Sequence, residues 1–363
     1  MKVIINLLNF NNPNIAGIGY FMKRIFELLD DQNSEGMTFY ILHSPNIDVQ
    51  KVFSISNELH IEFKPVQCSA NIVLRILYEQ FVLPFQLFGY DVFYSPTPAV
   101  PVLFRINKIK IIPTIPDLIP FHVKEKYPFF RRLYVRWITK KSAQNSDSII
   151  TISNNSFHDI VNILGIRKEK VNIVYCFIPN KEFIKSDISK NYFITICTIE
   201  PGKNLTNLLK AFKLFKDKYG QSDFKLYIVG KNGWGYRQIY DICEELKLQN
   251  DVIFTGYLSE EEKNKLLQES MAMLFMSTYE GFGIPPLEAM YWNKPSVVSN
   301  VSSLPEVVGE AGIKCDPYNI EEIADAMYHV IIEKDKLCSH IPNQLRKFDP
   351  QEQVKKFLEV IQN

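Results

Sequence analysis

Cysteine is scarce in this chain, six in 363 residues: Cys68, Cys176, Cys197, Cys243, Cys315 and Cys338. No C-x-x-C pair occurs and no histidine stands at zinc-like spacing, so a metal-binding framework is not indicated and a reducing compartment fits. The six histidines are equally scattered. An excess of one charge is also missing. Forty-one basic against 40 acidic side chains leave +1, which argues against a dedicated nucleic-acid binder, since that needs basic excess to displace counterions. No uninterrupted apolar run reaches the roughly 18 residues of a membrane span. The stretch from Ile72 to Phe88 comes nearest, and Arg75, Glu79, Gln80 and Pro84 break it. Met1-Lys2 leads straight into the apolar run Val3–Leu8, so no secretory signal is visible and a cytoplasmic location is expected.

Apolar and aromatic residues, by contrast, are plentiful. At 46% hydrophobic and 13% aromatic, disorder is excluded, and the length suggests two domains with a real core in each. Strand candidates in the first half are Val3–Leu8, Phe39–Leu42, Asp91–Tyr94, Lys110–Pro113 and Ser148–Ile152, with helical stretches between several of them, the first from Tyr20 to Leu29. That alternation reads as an α/β domain with a parallel sheet. Around Cys176–Asn191 it lapses into a polar, breaker-rich segment (Pro179, Asn180, Lys181, Lys185, Ser186, Asp187, Ser189). A second series then opens with strand Tyr192–Cys197 and a helix from about Asn204 carrying Leu205, Leu208, Leu209 and Phe212 on one face. Strands Lys225–Val229, Val252–Thr255, Ala272–Met276 and Ser296–Ser299 follow. The expected boundaries are 1–178, a linker 179–191, a second domain 192–345 and a closing segment 346–363. Asp349 as cap, Pro350 at the first position and Glu352 completing a capping box signal the last helix. The halves show no clear sequence repeat.

The most informative segment is Glu280-Gly281-Phe282-Gly283-Ile284-Pro285-Pro286-Leu287-Glu288. A glycine-bearing turn leads into Pro-Pro and a helix start, where proline's missing N–H costs nothing. The backbone N–H groups near Gly283 and Ile284, with the positive end of the helix dipole, then make an anion site suited to a diphosphate. Glu288, expected in the first turn, can accept from a hydroxyl pair, and Glu280 can reach another hydroxylated group. The plainer alternative is that the two glutamates solvate a loop and cap a helix.

These residues resemble the E-x7-E motif of retaining glycosyltransferases of family 4, which have the GT-B fold. Four further segments match in order: Thr198-Ile199-Glu200-Pro201-Gly202-Lys203-Asn204-Leu205 (T-L-E-P-R-K-N-L), Val229-Gly230-Lys231-Asn232-Gly233-Trp234 (V-G-K-x-G-W), Phe254-Thr255-Gly256-Tyr257 (F-x-G-Y) and Ser302-Ser303-Leu304-Pro305-Glu306-Val307 (S-S-L-P-E-V). The likeness is strong from about 192 to 335 and weaker in Ala16-Gly17-Ile18-Gly19 and Pro116-Asp117-Leu118-Ile119-Pro120. It implies two Rossmann-like α/β domains facing a cleft, with the C-terminal helix crossing back to the first. It further implies that Glu288 binds the ribose hydroxyls of a nucleotide-sugar donor and Glu280 the donor sugar. Backbone amides of Phe282, Gly283 and Ile284 would hold sugar and phosphate oxygens, and Lys203 would neutralise the diphosphate. Tyr257 and Leu258 would lie beside the base, with Gly230 also on the donor side. A lysine and oriented N–H groups stabilise the leaving phosphate's growing charge, so no metal and no cofactor beyond the donor are expected. Relatives of this type act on bacterial surface polysaccharides such as lipopolysaccharide O-antigen, using GDP-mannose or a related hexose or deoxyhexose donor. UDP donors share the motifs.

Two departures stand out. Gly202 replaces the family's arginine before the lysine, so one phosphate contact is missing or is supplied by Arg237 or another base. Pro116 replaces the histidine of His-Asp, so its role is lost or passes to His122. Asp117 keeps the carboxylate, as a catalytic candidate or as a turn residue between prolines. Gly17 and Gly19 either let a backbone approach the ligand or serve a tight turn alone. A dinucleotide-binding dehydrogenase is disfavoured because Met22 stands where the third glycine of G-x-G-x-x-G belongs.

The stretch Tyr127–Ala143 carries Phe129, Phe130, Leu133, Tyr134, Trp137 and Ile138 on one face and Arg131, Arg132, Arg136, Lys140 and Lys141 on the other. It reads as an ordinary helix with a core stripe and a solvated face, or as a peripheral contact with an anionic membrane and a lipid-linked acceptor. The expected function is a metal-independent, retaining hexosyltransferase acting on a glycan or lipid-linked acceptor. Its alternatives are another GT-B enzyme, such as a sugar-nucleotide epimerase or phosphorylase, and a noncatalytic nucleotide-sugar-binding subunit.

Overall fold

The computed structural model describes residues 1–363 except 14, 16, 57–58, 105–108, 124–127, 180–182 and 185–187, and except the side chains of Cys68 and Ala70. Ala16, Tyr127 and the linker residues Asn180, Lys181, Lys185, Ser186 and Asp187 therefore lie outside the described residues. The chain divides into one unit of Met1–Pro179 with Asp349–Asn363 and another of Asn180–Phe348.

In the first unit, β1 (Lys2–Asn6), β2 (Thr38–His43), β3 (Ile61–Pro65), β4 (Val92–Ser95) and β5 (Lys110–Pro113) form a parallel sheet in the order β3-β2-β1-β4-β5. Ile4 is opposite Tyr40 on one side and Phe93 on the other. All of β4 is buried, as a central strand covered on both faces requires. A small parallel pair, β6 (Ile149–Thr151) and β7 (Val171–Ile173), adjoins through a bridge from Thr114 to Ile150.

The Pro350–Gln362 helix belongs to this first unit although it ends the chain. Phe357 meets Tyr94 edge to face at 5.1 Å. Lys110 Nζ donates to the Val360 carbonyl at 2.5 Å and Tyr175 N to Gln353 Oε1 at 2.9 Å. Asp349 caps the helix by accepting from Glu352 N at 3.0 Å. The reciprocal half of the expected capping box is not made, whereas Ser259 and Glu262 form a complete one ahead of the Glu260–Glu269 helix.

The second unit repeats the strand order with one more strand. Parallel strands β8 (Tyr192–Ile196), β9 (Lys225–Val229), β10 (Val252–Gly256), β11 (Ala272–Phe275), β12 (Ser296–Ser299) and β13 (Gly312–Cys315) run β10-β9-β8-β11-β12-β13. The Leu205–Tyr219 helix buries Leu205, Leu208, Leu209 and Phe212, each at most 1% exposed. Each such side chain contributes roughly 1.5–3 kcal/mol by leaving water. Packing therefore holds this helix, because its cap residue Asn204 sits at φ 55° and makes no side-chain cap bond. The core continues through Phe193, Phe215 and Phe224, whose rings lie 5.1–5.4 Å apart.

The basic aromatic helix spans Phe129–Asn145, and its expected core stripe is corrected. Only Ile138, Thr139, Ser142 and Ala143 are buried, while Phe129, Phe130, Leu133, Tyr134 and Trp137 are exposed. The packed face is the small-residue C-terminal half. Among the described residues no helix is long and apolar enough to cross a membrane.

Candidate functional site

In the second unit the strand order reverses between β8 and β11. Ligands of open parallel sheets bind at such a switch, beyond the carboxyl ends of the strands. Both loops leaving that point carry predicted site residues. The loop after β8 forms a 3-10 turn, Pro201–Lys203, and the loop after β11 runs through Glu280 to Gly283. Thr278 N donates to the Gly202 carbonyl at 3.0 Å and joins the two loops. Lys203 Nζ meets Glu280 Oε1 at 2.5 Å, and the Phe275 ring lies 5.7 Å from the same ammonium. Burial alone would push the Lys203 ammonium down, but the Glu280 charge and hydrogen bond outweigh it and hold it above the usual lysine range.

Gly283 ends the loop at φ 116°, in the region that favours glycine, and an added Cβ would come within 2.7 Å of Leu304 Cδ2. The Ile284–Tyr291 helix follows, with prolines in its first turn. Gly283 is thus the cap, and the N–H groups of Gly283 and Ile284 have no acceptor within the helix. Phe282 is buried below, its ring 5.4 Å from Phe348. Placing the helix start at Ile284 corrects one expectation. Glu288 is the fifth helical residue and lies in the second turn, because Pro285 and Pro286 occupy the first. Its carboxylate stands 3.2 Å from Lys263 Nζ, which also pairs with Glu260 at 2.9 Å. Burial pushes the Lys263 ammonium down, and Glu288 and Glu260 more than restore it.

Sequence reasoning matched Ser302 and Ser303 to a motif without giving them work. They hold the glutamate loop in place. Ser302 Oγ accepts from Glu280 N and donates to the Glu280 carbonyl, both at 2.8 Å. Ser303 Oγ donates to the Phe282 carbonyl at 2.6 Å. A serine pair in a loop looks like any solvated turn, so only the tertiary placement reveals this.

The other candidates separate by environment. Gly230 has φ 146°, and a Cβ there would fall 1.9 Å from the Cys197 carbonyl oxygen. Its need for glycine is close approach of the loop after β9 to that after β8. Tyr257 is 79% exposed beyond β10, and Leu258 is partly buried against the core cluster that includes Met273, Phe275 and Ala289. Arg237 is exposed, while the charges that act on Lys203 come from Glu280, Cys197 and Glu200.

In the first unit, Gly17 caps the Ile18–Phe26 helix at φ 52° with open space where a side chain would be. Gly19 is tight, with a Cβ position 2.9 Å from Ile15 Cβ, so packing alone requires it. Asp117 Oδ1 accepts from Ile119 N at 2.9 Å and closes its own turn. His122 pairs with Asp159 at 2.9 Å. Among the described residues no three His, Cys, Asp or Glu side chains are grouped to hold a metal ion.

The structure thus brings together Lys203, Glu280 and the Phe282–Ile284 backbone, with Glu288 on the helix they lead into. A cation and helix-start amides facing outward from a switch point can hold an oxyanion-rich group, and carboxylates beside them can accept from hydroxyls.

The sequence family described as "Glycosyl transferases group 1" matches residues 179–348. The chain is 26% identical over 224 residues to the O-antigen chain mannosyltransferase RfbU of Salmonella typhimurium, covering 59% of this chain and 62% of that one. It is 29% identical over 227 residues to the O-antigen chain mannosyltransferase B of Escherichia coli, covering 59% of each. The matches span about three fifths of the length of these curated relatives. Anabaena Alr3699/HepE, solved in complex with UDP, superposes with a TM-score of 0.73 at 16% identity over 99% of both chains. The lipopolysaccharide outer core galactosyltransferase WaaB, in apo form, gives 0.69 at 16% identity, again over 99% of both.

Proposed function

We propose that the chain, whose fold is that of the GT-B glycosyltransferases and whose residues 179–348 match the group 1 family, is a retaining hexosyltransferase of polysaccharide biosynthesis. The observation that carries the reading is the Lys203–Glu280 pair set beside the Gly283 helix start at the β8/β11 switch. In this reading Lys203 and the amides of Gly283 and Ile284 hold the donor's diphosphate. When the bond from the sugar to the diphosphate breaks, negative charge grows on a phosphate oxygen. Groups fixed there in advance stabilise that charge without reorganising. Glu280 contacts the donor sugar, Glu288 takes the ribose hydroxyls, and Tyr257 and Leu258 lie beside the base. The counter-charge is the lysine ammonium rather than a metal ion.

A GDP-mannose-like donor is favoured, because the curated relatives above are named mannosyltransferases. The acceptor is a glycan or a lipid-linked oligosaccharide, met at the cytoplasmic face of a membrane. The test is release of nucleoside diphosphate from GDP-, UDP- and dTDP-sugars with and without a lipid-linked oligosaccharide, repeated in chelator. Release from one donor, only with acceptor, is the expected result. Gly202 and Pro116, where the family carries arginine and histidine, favour a second reading as a noncatalytic binding subunit. Donor binding with no turnover on any acceptor would select it. Release without acceptor would point to a different GT-B reaction.

A further inference from the structure

The first unit carries an apolar surface whose polarity is inverted. The Ile72–Leu77 helix, sequence IVLRIL, has no buried residue at all. Ile72 and Val73 are each 60% exposed. The π-helical turn that continues it, Tyr78–Val82, buries Glu79 and Gln80 and exposes Phe81 and Val82. Water-soluble helices do the opposite. Glu79 and Gln80 are hydrogen-bonded inside, and Arg75 Nε stands 3.9 Å from Glu79 Oε2 without a hydrogen bond of its own. Asn6 Nδ2 donates to Glu79 Oε1 at 3.0 Å. Gln80 Nε2 donates to the Val100 carbonyl at 3.0 Å, and its Oε1 accepts from Val102 N at 2.9 Å. Phe85 and Phe88, further along, are 63% and 69% exposed.

This surface adjoins the Phe129–Asn145 helix, whose Tyr134 in the aromatic half lies within reach of the Glu79 and Arg75 charges. Phe104 touches the rings of Phe81 and Phe85, each at 6.0 Å. From the same 98–104 segment, the Val102 carbonyl accepts from Asn145 Nδ2 at 3.1 Å and the Pro98 carbonyl from Ser142 Oγ at 2.5 Å. That helix exposes Phe130 at 83% and carries five arginines and lysines with no acidic residue, in a chain whose net charge is only +1. A contiguous apolar face of this kind marks a binding surface, and its charge selects the occupant. A second copy of the chain would set the two acid-free helices against each other and pair like charges. An anionic bilayer surface complements them, and exposed Trp137 and Tyr134 suit the headgroup level.

We propose that the Ile72–Phe88 segment and the aromatic half of the Phe129–Asn145 helix together form one face that inserts shallowly into an anionic lipid bilayer, the helix supplying charge and the segment the apolar wedge. The purpose of such a face rests on the lipid-linked acceptor proposed above; its physics does not. Binding strength should then follow both buried apolar area and basic charge.

The test uses the full chain with vesicles of phosphatidylcholine alone and of phosphatidylcholine mixed with phosphatidylglycerol. Wild type should co-sediment with the mixed vesicles and show quenching of Trp137 by brominated lipid, with Trp137→Phe as control. Binding should fall roughly tenfold or more in Phe85→Ser/Phe88→Ser and in Lys140→Glu/Lys141→Glu. All four residues are exposed, so the variants should keep the wild-type circular dichroism and melting. Folded wild type that ignores mixed vesicles would overturn the proposal. So would undiminished binding by both variants, or a solution dimer abolished by the phenylalanine changes. Vesicle binding by Glu280→Ala separates the two readings. If it binds while wild type shows no transfer, the function fails alone; if transfer stands without vesicle binding, this surface fails alone.

Discussion

Glu280 and Lys203 should part company when each is removed, because they occupy one another. Their side chains are 15% and 19% exposed, 2.5 Å apart, so solvent screens the pair little. Stripping one partner from a buried ion pair costs about 3–5 kcal/mol, and the residual exposure here reduces that to about 2. For a unit of about 170 residues, either single alanine variant should therefore melt roughly 4–8 °C lower. The double variant should lose less than the sum, since no charge is left stranded. Ligand binding then separates the two roles. Lys203→Ala removes a charge-assisted contact to the diphosphate and should weaken GDP or UDP by about 1.5–3 kcal/mol, roughly 10–150-fold. Glu280→Ala frees the lysine from a competing carboxylate, so the nucleoside diphosphate should bind as tightly as in wild type or tighter. Transfer should nevertheless fall roughly 100-fold or more, because the donor sugar loses a fixed partner. Isothermal titration with the nucleoside diphosphates and initial-rate kinetics read both. If Glu280→Ala weakens the diphosphate as much as Lys203→Ala does, the division of labour is wrong.

Gly230→Ala should cost more than about 3 kcal/mol, because its Cβ would fall 1.9 Å from a backbone oxygen that cannot swing aside. Calorimetry decides, and a normally stable variant that has lost only ligand binding would contradict the packing account. Asp117→Asn preserves the acceptor for Ile119 N while removing the charge. Transfer should drop roughly tenfold or more with the melting temperature unchanged, and full activity would leave Asp117 as a turn residue. Asp251 is bonded to Lys216 and Lys225 at 2.7 and 2.8 Å. Burial pushes its carboxyl up, and the two lysines more than reverse this, holding it below the ordinary carboxylate value of 3.8. The native state then binds fewer protons than the unfolded chain just below that value, so this contribution is present at neutral pH and is lost as pH falls beneath about 3.8. Asp251→Asn should flatten the acid limb of a stability–pH curve, and an unaltered limb would discount the pair.

The interior strands were legible because both faces are covered and the residues run apolar throughout, as in Val3–Ile5 and Ile194. Two edge strands were not, although the edge strands β5 and β10 were read. β3 reads Ile-Glu-Phe-Lys-Pro, largely exposed, and β13 reads Gly-Ile-Lys-Cys, so neither shows an apolar run. In the site, residue types and their order along the chain were readable, since a glycine turn before Pro-Pro has few uses. The register was not, because whether the helix begins at Ile284 or later, at the prolines, decides whether Glu288 falls in its second turn or its first, and it begins at Ile284, directly after Gly283 at φ 116°. The serine supports of Glu280 were hidden for a different reason: a hydroxyl's partner is set by tertiary placement alone. Periodicity in the Phe129–Asn145 helix likewise identified an apolar side without telling whether anything lies against it.

The Pro350–Gln362 helix has a bearing on synthesis. Its partners Tyr94, Lys110 and Tyr175 are translated long before it, and the whole second unit intervenes. The first unit is thus complete only once Pro350–Gln362 has been made, after the whole second unit. During that interval the underside of β4 and β5 is a nascent-chain surface for which a chaperone would compete.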